Sequence, residues 1–112
     1  MTPDGLAVSA RFVPVAAVGD VPSGAAVTVE VTGRRVALVN HGGSFYAVDD
    51  GCTHAAGSLG EGRVGAGCLL ECPWHGAVFD VRTGEVWRGP ARKPLRTYQV
   101  KVADGAVLVA VG

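Results

Sequence analysis

Apolar residues alternate with polar ones along both ends of the chain, which is the period-two pattern of half-buried strands. Val27, Val29 and Val31 fall on one face of a predicted strand over Ala26 to Val31. Arg34 to Asn40 predicts the next, with Val36, Leu38 and Asn40 on one face and Ala37 and Val39 on the other. Arg11 to Val18 predicts a first strand running into a loop, and Ser44 to Val48, Tyr98 to Val102 and Ala106 to Val111 predict three more. The joints are turn residues: Gly19-Asp20, Pro22-Ser23-Gly24, Thr32-Gly33, Asn40-His41-Gly42-Gly43 and Asp104-Gly105. Asn, Asp and Gly take positive φ at low cost, so such pairs close hairpins.

Residues 50 to 91 break this pattern. They are rich in Gly, hold all three cysteines, and contain only short apolar pieces at Cys68 to Glu71, Ala77 to Val81 and Glu85 to Trp87. No amphipathic helix of useful length is legible. The expected fold class is therefore all-β, a Greek-key-like or barrel-like antiparallel domain with an insertion. A length of 112 residues fits one domain, 1–112. Ten basic and ten acidic residues cancel, and no basic run offers a nucleic-acid surface. No apolar run is long enough to span a membrane. The N-terminal residues lack the features of an export signal, so the expected location is cytoplasmic. Three cysteines, an odd number, do not suggest a disulfide framework.

The chemistry lies in two short pieces, Cys52-Thr53-His54 and Cys72-Pro73-Trp74-His75, separated by seventeen residues between His54 and Cys72. Each presents one thiolate and one imidazole. Two such mixed knuckles facing each other provide a Cys₂His₂ set, with two sulfurs for one iron and two nitrogens for the other, the ligation of a Rieske [2Fe–2S] centre. Gly57, Gly60, Gly62, Gly65 and Gly67 leave the first loop free to turn, and Gly76 follows His75 so that backbone amides can approach closely. A structural zinc site is the alternative for the same donors, although zinc fingers usually place both cysteines in one knuckle and both histidines in the other. Of the remaining candidates, Cys68 reads as a small buried hydrophobe, His41 as a solvated turn residue, Asp49 and Asp50 as the start of a loop, and Phe79 and Trp87 as core.

These motifs, together with Phe79-Asp80-Val81-Arg82-Thr83-Gly84 and Gly89-Pro90, resemble the Rieske ferredoxins of bacterial ring-hydroxylating dioxygenase systems. The chain is also similar to the small Rieske subunit of assimilatory nitrite reductases. The resemblance runs from about Phe12 to Val111. It implies an antiparallel β base formed by about 10–49 and 92–112, and a smaller inserted β subdomain, about 50–91, that binds the cluster through Cys52, His54, Cys72 and His75. It implies a soluble carrier of single electrons from a flavin-dependent ferredoxin reductase to a terminal oxygenase, or else a non-catalytic nitrite reductase subunit. It also implies a low potential. High-potential relatives resemble one another in a disulfide brace and two hydroxyl donors near the cluster, whereas this chain has Gly57 and Trp74 in place of the brace and Ala77 and Phe79 in place of the hydroxyls. An oxygen-activating enzyme needs a further iron on two His and a carboxylate, and His41 alone remains to supply it.

Overall fold

The structure, a computed structural model, describes residues 11–51, 58–73, 76–89 and 93–111. Eleven strands are described: β1 (Arg11–Ala17), β2 (Ala26–Val31), β3 (Arg34–His41), β4 (Ser44–Asp49), β5 (Arg63–Gly65), β6 (Leu69–Glu71), β7 (Val78–Asp80), β8 (Val86–Arg88), β9 (Thr97–Tyr98), β10 (Val100–Ala103) and β11 (Ala106–Val111). All pairings are antiparallel, in three sheets ordered β1-β11-β10, β2-β3-β4-β9 and β5-β6-β7-β8. The described helical residues are confined to three short 3₁₀ turns.

Three hairpins close within turns that the sequence predicts, each through two residues. Thr32-Gly33, Gly42-Gly43 and Asp104-Gly105 all have positive φ at both positions, which matches the twist of the strands they join. His41 is the last residue of β3, paired with Ser44 and half-buried, so it is less open to solvent than a turn residue would be. Pro14 has no N–H to donate and sits where β1 bulges against β11, on the outer strand of its sheet.

The sheet β2-β3-β4-β9 is the middle layer. Val36 and Leu38 of β3 pack with Val21, Val31, Ala47, Val107 and Val109, towards the sheet built from the chain ends. Ala37 and Val39 point the other way and pack with Val48, Leu70, Phe79 and Val81, towards the small sheet β5-β8. Asn40 continues the Val36/Leu38 face and is buried, its Nδ2 donating to the Val21 carbonyl at 2.7 Å and its Oδ1 accepting from Gly43 N–H at 2.9 Å. A row of apolar side chains, Val64, Leu70, Phe79 and Val86, crosses the small sheet at paired positions and forms its inner face.

The return from the small sheet is tied twice. Within Phe79-Asp80-Val81-Arg82-Thr83-Gly84, the Asp80 carbonyl accepts from Gly84 N–H at 2.6 Å, and the Gly84 carbonyl accepts from Leu95 N–H at 2.7 Å. The Asp80 side chain accepts from Arg82, which holds its carboxyl below the usual carboxylate range. Further on, β9 pairs with β4, and the Tyr98 hydroxyl donates to the Asp49 carboxylate.

Burial, and then the neighbouring Asp49 carboxylate, raise the Tyr98 phenol above its ordinary value of 10.0. The folded chain therefore keeps this proton to higher pH than the unfolded chain does. The associated stability is present below pH 10.0 and is lost as pH rises through the folded value. Tyr98→Phe is expected to cost about 1 kcal/mol at neutral pH. Urea unfolding of both proteins across alkaline pH checks this: the gap between them should narrow above pH 10.0.

Candidate metal centre

The described residues that flank the two predicted knuckles share one patch of core. At the end of β4, Asp50 is only 2% exposed. Its backbone N–H donates to the Arg35 carbonyl at 3.1 Å, and its carbonyl accepts from Leu59 N–H at 2.7 Å. Its carboxylate accepts from Gly60 N–H at 2.7 Å, from the Thr28 hydroxyl at 2.9 Å and from the Ser58 hydroxyl at 2.9 Å. The Arg35 guanidinium lies 3.5 Å away. Gly51 and Ser58 pair as a single antiparallel bridge. The segment carrying Cys52 and His54 therefore starts and ends at one pinned point, held to β2 through Thr28 and to β3 through Arg35.

Gly60 has a different role from the one its sequence neighbourhood suggests. Its φ is not positive, so turning freedom is not what the position requires. A Cβ there would run into the Thr28 hydroxyl and come within 2.7 Å of Thr28 N and 2.9 Å of the Asp50 carboxylate. Glycine is needed so that the returning chain can lie against β2 and give its N–H to Asp50.

The second knuckle follows β6. Cys72 is fully buried and belongs to the same apolar cluster as Leu59, Leu70, Ala77 and Phe79. Its N–H donates to the Ala77 carbonyl at 2.7 Å, and its carbonyl accepts from Gly76 N–H at 3.1 Å. These bonds close the 72–77 hairpin at its root, with Gly76 at φ +73°. An Nη of Arg88 lies 3.5 Å from the Gly76 carbonyl and 3.8 Å from Glu71 Oε2. Beside the hairpin opens a cleft of about 620 Å³, whose lining includes Glu61, Arg63, Glu71, Cys72, Pro73 and Gly76.

Of the four predicted ligands, Cys72 is described, while Cys52, His54 and His75 lie outside the described residues. Among the described residues no group of three or more His, Cys, Asp or Glu stands where it could hold a metal ion. The Cys72 thiol is in no disulfide. Leu59 at the foot of the first loop and Cys72 at the foot of the second share one core, so the two loops are rooted side by side. Cys72 also lines the cleft beside its hairpin, which the likewise buried Cys68 does not, so of the two described thiols it is the one placed to serve as a ligand.

Residues 11–99 match the family model described as the Rieske [2Fe–2S] domain. The chain belongs to this family. Its cofactor is accordingly a Rieske-type [2Fe–2S] cluster. The domain is 42% identical over 97 residues to the 3-phenylpropionate/cinnamic acid dioxygenase ferredoxin subunit of Photorhabdus laumondii, covering 87% of this chain and 91% of that one. It is similar to the ferredoxin of carbazole 1,9a-dioxygenase from Nocardioides aromaticivorans, with TM-score 0.84, 36% identity and 88% and 96% of the two chains covered. A complex of reduced oxygenase and oxidised ferredoxin in carbazole 1,9a-dioxygenase contains a further match, with TM-score 0.82, 37% identity and 88% and 92% covered. A nitrite reductase small subunit from Mycobacterium tuberculosis shares the fold, with TM-score 0.83, 23% identity and 92% and 96% covered.

In this Rieske domain Cys68 is the buried hydrophobe that the sequence predicts, 5% exposed, and its carbonyl accepts from Val81 N–H at 3.0 Å. Phe79 is fully buried, as expected. Trp87 is not core: it is 62% exposed. Asp50 does far more than begin a loop. Its partners Thr28 and Ser58 are 22 and 8 residues away along the chain, a separation that no local pattern reveals.

Asp50→Ala leaves two hydroxyls and a buried N–H without their acceptor, and is expected to cost about 3 kcal/mol. Asp50→Asn keeps one acceptor oxygen and should cost less. Thermal unfolding of the two variants beside the wild type gives the order; equal stability of all three would show that the carboxylate does not hold the loop.

Proposed function

We propose that this chain is a soluble carrier of single electrons, working between a flavin-dependent ferredoxin reductase and the terminal oxygenase of an aromatic-ring dioxygenase system. Its 42% identity over 97 residues to a dioxygenase ferredoxin subunit is the observation that carries this reading. The cytoplasm is the proposed location; among the described residues no helix is long and apolar enough to cross a membrane.

In this proposal Cys52 and Cys72 supply the two thiolates and His54 and His75 the two imidazoles. Residues 50–91 form the cluster-binding part, carried on a base from about 10–49 and 92–112. When bound, the cluster accepts and releases one electron. The protein's work is to hold it. Asp50 and the Gly51–Ser58 bridge fix the root of one loop. The Cys72–Ala77 hairpin fixes the other, and Leu59, Leu70 and Phe79 keep water from the buried side of Cys72. The chain itself catalyses nothing in this reading, because after His54 and His75 only His41 remains for a second iron.

Ala77 and Phe79 are both fully buried and bring no hydroxyl to this region. Fewer donors to sulfur leave the added negative charge less stabilised, which favours the low end of the Rieske range, about −150 mV. Low-temperature EPR of the dithionite-reduced protein tests the assignment, and redox titration of the same signal gives the potential. A Rieske signal titrating near that value is expected. Zinc in place of iron would end the reading, and a midpoint well above zero would end the account of the potential. Cys72→Ser is expected to lose the signal or leave it labile. Electron delivery to a sirohaem nitrite reductase rather than to an oxygenase would move the chain to the other branch of its relatives.

A further inference from the structure

The outer face of the small sheet carries a feature that electron carriage by the cluster does not explain. Phe79 pairs with Val86 and Val78 with Arg88, so Trp87 is an extra residue in β8 with no partner across the ladder. Such bulges re-aim a side chain. Val86 packs against the core, while Trp87 is turned to solvent, 62% exposed. A large aromatic left in water forgoes the burial that normally accompanies it.

Trp87 does not stand alone. With Leu69 and Val78 it borders a shallow depression of about 280 Å³, flanked by Arg63, Glu71 and Arg88. Arg63, Glu71, Val78 and Arg88 are paired in one row across the sheet. Two arginines against one glutamate leave the rim net positive. Arg88 also reaches the Gly76 carbonyl, at 3.5 Å, and Gly76 is the residue directly after His75. An apolar centre with a Trp and an arginine rim has the composition of a binding hot spot, and here it adjoins the knuckle that carries two of the proposed ligands.

We infer that Trp87 and Leu69, with the buried Val78 at the floor of the depression and Arg63 and Arg88 at its rim, form the docking platform for the terminal oxygenase, which presents an apolar patch bordered by carboxylates. The inference rests on the carrier function proposed above. Charge sets the chemistry of the partner surface, because a basic rim speeds encounter with an acidic one. A ferredoxin 37% identical to this chain has been solved together with its oxygenase, which makes the oxygenase the partner of choice. A small patch of this kind suits a contact that must form and release at every electron.

The test is stopped-flow electron transfer from the reduced holoprotein to the terminal oxygenase of the host's ring-hydroxylating system, with reduction by the flavin reductase measured separately. Trp87→Ala is expected to lower the second-order rate constant with the oxygenase about tenfold, with EPR spectrum and midpoint unchanged. Arg63→Glu is expected to lower it too and to weaken its dependence on ionic strength. Unchanged transfer to the oxygenase in both variants overturns the platform, as does a loss confined to the reductase step. Wild-type protein that holds its cluster yet passes no electron to the oxygenase would instead overturn the carrier reading.

Discussion

The buried carboxylate of Asp50 is the constraint on which the site depends. A charged group at 2% exposure is tolerated only when donors surround it, and here two hydroxyls, a backbone N–H and a guanidinium do so. Those donors come from β2, from β3 and from the far end of the loop. One side chain thus ties both ends of the short stretch between Gly51 and Ser58 to one fixed root. That root fixes where the stretch bearing Cys52 leaves and rejoins the core that also holds Cys72.

The second support is the middle sheet. Because β3 is buried on both faces, it couples the sheet made from the chain ends to the small sheet that carries Cys72. Cys72 is at once a candidate ligand and a member of that apolar core. Donor placement and core packing are therefore one problem at this position, and a rigid interior is what holds the sulfur still.

Most of the base was legible because β1 to β4 and β11 are long, alternate and meet at turns with Gly. Tyr98 to Val102, read as one strand, is instead divided at Gln99 between β9 in the middle sheet and β10 in the sheet of the chain ends. The two faces of β3, read as Val36/Leu38/Asn40 and Ala37/Val39, are the two faces observed. The small sheet was less legible. Its strands have three residues each, and β5 lies between glycines, so its strand character comes from pairing with β6 rather than from local preference. Trp87 read as core because it is a large aromatic in a short strand; Val86 is the residue that packs inward, so its neighbour faces outward, and which of the two lies inside is set by register, which composition does not give. Cys72 stands out in the sequence through its motif, whereas the anchor under the first loop needed Thr28, Ser58 and Asp50 brought together from distant positions.

The small sheet leaves the base after β4 and returns at β9, and these two strands are neighbours in the middle sheet. Exit and entry lie side by side, so the β-base closes on itself whatever length of chain is looped out between them. Such a layout lets the looped-out part lengthen, shorten or change its outer decoration while its host scaffold stays as it is. Variation in what the molecule touches is thereby separated from variation in what keeps it folded.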